Sequence, residues 1–103
     1  SKDRAILQLA AVFSCNFITH NLHIGENILT EKNIEKDIIT PLIKQTISNV
    51  LNFSASKSQT GPAYRGDKEI IEKHLSLLNK TGFKNVYKTT SDSISKLKNK
   101  KND

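Results

Sequence analysis

The sequence predicts an all-α fold, a bundle of four or five helices headed by a long first helix that dimerises. Three observations carry this reading. Apolar residues recur at the 3.6-residue period in successive segments, no segment alternates convincingly with period two, and hairpin turns of the Asn-Gly type are absent.

The first helix is expected from about Asp3 to Leu29. Ile6, Leu9, Ala10, Phe13, Phe17, Ile24 and Ile28 give one stripe to be buried, and Ala5, Val12, Cys15, Leu22 and Leu29 give a second. A helix apolar on two sides is either central in its domain or shared between its own core and a partner. At ~38 Å such a helix is longer than a domain of this size comfortably wraps, which points to a subunit interface. Thr30-Glu31-Lys32-Asn33 reads as a loop, and Ile34, Ile38, Leu42, Ile43, Ile47, Val50 and Leu51 resume the helical period. Thr40-Pro41 is either an N-cap followed by proline at the first helical position or a bend in a helix begun near Ile34.

Ser54 to Ser58 is a polar connector or a single turn. A third long helix carries Ile70, Ile71, Leu75 and Leu78 on one face and ends near Asn79. Thr81-Gly82 separates it from a last, weaker helix whose apolar side is Phe83, Val86, Tyr87, Ile94 and Leu97.

Thr60-Gly61-Pro62-Ala63-Tyr64-Arg65-Gly66-Asp67 joins the second and third helical patterns. Gly61 can take positive φ, Pro62 sets its own φ, Gly66 frees the backbone to turn again, and Asp67 stands where an N-cap belongs. A rigid turn carrying one arginine can hold a phosphate or carboxylate. Glycine and proline mark turns more often than sites, so the physics alone favours a well-made corner.

With 103 residues the chain is one domain with a modest core, and it begins Ser-Lys-Asp, not Met, as expected of a part of a longer protein. No uninterrupted apolar run of membrane-spanning length is apparent and no signal peptide precedes the first helix. The single cysteine, Cys15, precludes a disulfide framework within the chain and suits a reducing cytoplasm. The formal net charge of +6 is nearly all lysine, Arg4 and Arg65 being the only arginines. Lys84, Lys88, Lys96, Lys98, Lys100 and Lys101 crowd the end of the chain. Without arginines and interleaved aromatics they read as a solvated basic tail, and a nucleic-acid-binding helical protein is the lesser alternative. No Gly-x-Gly-x-x-Gly, Walker loop or Cys-x-x-Cys is present, so this chain alone does not cradle a dinucleotide.

Thr60-Gly61-Pro62, then Arg65-Gly66-Asp67 and His74, resembles the signature of a family of predicted NAD(P)-dependent oxidoreductases. The resemblance extends through Ala10-Ala11-Val12-Phe13, Asn16-Phe17 and Pro41-Leu42-Ile43, covers most of residues 5 to 80, and fades in the lysine-rich tail. Proteins of that family join an N-terminal Rossmann-like domain to a C-terminal helical domain of unknown function, and this chain is similar to the second part. The resemblance implies a homodimer, NAD or NADP bound mainly by the domain outside this chain, a small-molecule substrate in the interdomain cleft, and hydride transfer. That family in turn resembles the superfamily of 6-phosphogluconate dehydrogenase-like C-terminal domains, in which a Lys and Asn pair near the start of the long helix serves catalysis. Here Val12 stands one turn before Asn16 where a lysine is wanted, so that mechanism does not carry over.

Four residues are the substrate- or cofactor-side candidates. Asn16 either bonds a neighbouring helix or faces the cleft. His20, one turn further, could share that cleft. His74 lies within an apolar helix face, where a lone histidine is ordinarily a core or interface residue with one partner. Arg65 offers a planar fork for carboxylate or phosphate, against a structural ion pair. Gly61, Pro62, Gly66 and Asp67 are read as turn and cap. His20, His23 and Glu26 stand three apart, converge poorly and give no metal site. A purely structural module that joins two subunits is the alternative from another class.

Overall fold

The computed structural model describes residues 1–102 and the side chains of residues 1–100, so the side chain of Lys101 lies outside the described residues. The described residues contain no strand. They form six helices: α1 Lys2–Glu31, α2 Thr40–Asn52, α3 Ala55–Ser58, α4 Pro62–Arg65, α5 Lys68–Leu77 and α6 Lys84–Asn102. The count exceeds the expected four or five through the single turns α3, which the sequence already allowed, and α4. The chain divides into two compact units, Ser1–Lys44 and Gln45–Asp103, with the boundary inside α2.

In the first unit Ser1 opens α1, its hydroxyl accepting from the Arg4 N–H at 3.3 Å. The helix takes in Thr30 and Glu31, the first two residues of the expected loop, and stops where Asn33 turns left-handed, φ 56°. The Asn33 N–H then donates to the Thr30 carbonyl at 3.0 Å and the Ile34 N–H to the Leu29 carbonyl at 2.9 Å, which is a Schellman stop. The sequence signal for this end was Asn33, since asparagine tolerates the left-handed conformation.

Midway, Val12–Asn16 is a turn of π-helix in which the Phe17 N–H reaches back to the Val12 carbonyl. One extra residue per turn sets the following side chains back by about 100°, so stripes read at a constant period lose phase beyond Asn16. Phe13 and Phe17 meet edge to face across this turn, ring centroids 5.0 Å apart.

The stripes of α1 are not buried as expected: Phe13 is 63% exposed, Leu9 58% and Ile6 54%. The helix is also long and apolar enough to cross a membrane by length and composition, which corrects the reading from uninterrupted runs. Asn16, Thr19, His20, Asn21 and His23 punctuate it, however, and polar groups of this kind are costly in hydrocarbon. After α1, a 3₁₀ turn at Lys36–Ile39 runs directly into α2, placing Pro41 in the first α-helical turn, where its missing N–H breaks no bond.

The second unit is organised on the corner. Gly61 adopts φ 103°, Pro62 starts α4, and Gly66 ends it in the left-handed region at φ 71°. Asp67 then caps α5, its carboxylate accepting from the Ile70 N–H at 3.3 Å. The carbonyls of Gly61, Pro62, Ala63 and Tyr64 each find a donor. The Arg65 N–H serves Gly61 at 3.1 Å and the Asp67 N–H serves Pro62 at 2.9 Å. From α6, the Ser95 hydroxyl donates to the Ala63 carbonyl at 3.2 Å and the Lys98 ammonium to the Tyr64 carbonyl at 2.6 Å. Ala63 in α4 is 6% exposed, and among the described residues Leu78 just past α5 is the other buried apolar residue. The His74 Nδ1 and the Tyr87 hydroxyl, 2.8 Å apart with their rings edge to face, tie α5 to α6. Burial pushes the Tyr87 phenol above its ordinary range.

Expectations for thermal or denaturant unfolding follow at three sites. Gly66→Ala should cost about 1 kcal/mol and Gly66→Asn less, because no atom crowds the site and only the backbone conformation objects; Asp67→Ala should cost about 1 kcal/mol through the lost cap. Tyr87→Phe should cost about 1 kcal/mol by losing the bond to His74. The folded phenol titrates above the unfolded one, so its contribution is whole below pH about 10 and drains as the pH rises beyond that. The alkaline loss should therefore be smaller in Tyr87→Phe, and an unchanged alkaline profile would contradict the assignment.

Candidate functional site

Of the four candidates, Asn16 and His20 lie in the first unit and Arg65 and His74 in the second. Asn16 closes the π turn, an irregularity that recurs at functional positions, and its carboxamide is exposed with no hydrogen-bond partner among the described residues. The inter-helix bond weighed from sequence is therefore not made within the described chain, and the carboxamide keeps both its donor and its acceptor. His20 is exposed one turn on. Its ring centroid is 6.5 Å from that of His23, tilted by 40°, and the His23 Nε2 lies 3.5 Å from the Asn27 amide. Glu26 approaches Lys36 at 3.9 Å.

Arg65 ends α4 and is exposed, with no carboxylate in ion-pair range among the described residues. Its backbone is fixed by the corner while its guanidinium is free to take a planar anion. His74 is half-buried against Tyr87. If the phenol donates, His74 is held with its proton on Nε2 and can donate from there; if it accepts, Nε2 presents a lone pair. Either way the raised phenol stays neutral at physiological pH and fixes the imidazole's orientation.

Two residues escaped the sequence reading. Tyr87 was assigned only to an apolar face, and Lys98 only to the tail. Both belong to one row of α6, in which Tyr87, Ser91, Ile94, Ser95 and Lys98 are the inner, partly covered residues. The spacing i, i+4, i+7, i+11 from Tyr87 to Lys98 was the available signal. Beside Lys98 lies an open recess of about 410 Å³ between α3, α4 and α6. The lysines of α6 are not gathered on one face. At 100° per residue Lys84, Lys88, Lys96, Lys98 and Lys100 spread over more than half of the helix circumference.

Residues 1–94 match the family model of a domain of unknown function, DUF2520. The chain is also similar to a crystal structure from Bacteroides fragilis described as a "putative NADP oxidoreductase", at 35% identity and a TM-score of 0.87. That similarity covers 92% of this chain but 37% of the other, so the chain spans little more than a third of that protein's length. No curated protein matches it. On the extent of the family match, the chain belongs to the DUF2520 family of domains of unknown function.

Proposed function

We propose that this chain is the dimerising, substrate-side helical domain of an NADP-dependent oxidoreductase whose Rossmann-like domain binds the dinucleotide. The observation that carries the reading is the similarity, over nearly the whole chain, to about a third of a protein described as an NADP oxidoreductase. Two properties of the molecule support it. α1 exposes a run of large apolar residues, including Phe13, Phe17 and Leu9, of the kind that marks a protein contact. The chain also carries side chains suited to an anionic or carbonyl substrate, in Asn16, Arg65 and the His74–Tyr87 pair.

In this reading NADP enters with the Rossmann-like domain and supplies or accepts hydride. The residues of this chain bind and orient the substrate: Arg65 pairs with a carboxylate or phosphate, and Asn16 and His20 offer hydrogen bonds. His74, steadied by Tyr87, holds or delivers a proton at Nε2. A second copy covers α1. Cys15 is an exposed thiol, in keeping with a reducing cytoplasm.

The test is made on the longer protein. NADPH should bind it more tightly than NADH, and Arg65→Ala should lower kcat/KM by roughly tenfold or more while leaving Tm within about 2 °C. Activity untouched by Arg65→Ala, His74→Ala and Asn16→Ala together would instead leave a structural module that contributes no group to the chemistry.

A further inference from the structure

Lys98 is a half-buried cation with no anion beside it. Its ammonium donates to the Tyr64 carbonyl at 2.6 Å and lies 4.5 Å from the centroid of the Tyr64 ring, and among the described residues no carboxylate reaches it. The carbonyl bond takes one of three N–H groups, and the ring attracts charge without accepting a conventional bond. An ammonium drawn out of water in this way gains most from an anion.

The recess of about 410 Å³ that Lys98 borders is walled by Ala55, Ile94, Leu97 and the Tyr64 ring, with Gln59 at its polar edge. Its size is that of a site for a small organic molecule, and its walls are chiefly apolar with a single charge, the combination by which such sites bind the body of a ligand and orient one end of it. The wall is preorganised. Tyr64 is fixed by the corner, α4 is held to α6 through Ser95, and Ser54 and Ser58 hold α3, by a cap to the Lys57 N–H and a bond to the Asn49 carbonyl.

We propose that this recess binds a small monocarboxylate with an apolar body. The carboxylate accepts from the remaining N–H groups of Lys98 in a charge-assisted bond, and the apolar body lies against Ile94, Leu97 and the Tyr64 ring. The site needs neither the dinucleotide nor hydride transfer, so it stands apart from the oxidoreductase reading.

The probe is phenylacetate, titrated calorimetrically into the full-length protein without dinucleotide, with benzyl alcohol as the uncharged comparator. Phenylacetate should bind saturably and at least roughly tenfold more tightly than benzyl alcohol, as expected of one charge-assisted bond. Lys98→Met should abolish that preference and Lys100→Met should keep it. Equal affinity for the two probes, no saturable binding, or the same loss in both lysine variants would overturn the site. Should Lys98→Met fail to fold because its bond to Tyr64 is lost, the two probes on the unaltered protein still decide the matter.

Discussion

The carbonyls of the single-turn helix α4 must be satisfied if the chain is to turn as sharply as it does between Gly61 and Asp67. A helix of one turn leaves nearly all of its C-terminal acceptors without intrahelical donors. Here Gly66 and Asp67 fold back onto the Ala63 and Pro62 carbonyls, and α6, more than thirty residues further along, supplies Ser95 as a second donor to Ala63 and Lys98 for Tyr64. The positive φ of Gly66 permits the first half of this arrangement and the small side chain of Ala63 permits the approach of α6. From it follow the entry of α5 under its Asp67 cap, the meeting of His74 with Tyr87, and the placing of Tyr64 and Lys98 at the mouth of the recess. The corner is thus a structural junction whose exposed member, Arg65, remains available to a ligand. The two readings of it weighed from sequence are compatible.

Much of this was legible in the residues. Helical periodicity located the long helices, and Gly61, Pro62, Gly66 and Asp67 announced a turn and a cap through backbone preferences that need no tertiary context. What was not legible depended on contacts distant in sequence. That a tail lysine becomes the donor to Tyr64 is a matter of which face α6 presents, and only the row running from Tyr87 to Lys98 hinted at it. The π turn at Val12–Asn16 has no compositional signature, and it defeated the assumption of one constant period along α1. The end of α1 was placed about two residues early, since only Lys32 and Asn33 of the expected Thr30–Asn33 loop turn out of the helix.

The same distinction applies to the candidate residues. His74 acquires a definite partner and orientation, Arg65 an anchored backbone with an unpaired head, and Asn16 an irregular turn that leaves its carboxamide exposed. In the proposed function these residues orient a polar substrate and the dinucleotide is held by the partner domain.

The exposed apolar surface of α1 connects the fold to that function most directly. Ile6, Leu9, Phe13 and Phe17 are each about half exposed or more, and an apolar surface of this kind is one that a partner covers in the proposed dimer. The decisive measurement is the mass of the full-length protein in solution by light scattering at moderate salt, alone and with Leu9 and Phe13 both replaced by Asp. The account predicts a stable dimer that the double replacement converts to monomer. A well-folded monomer for the unaltered protein, or a dimer indifferent to both replacements, would contradict it.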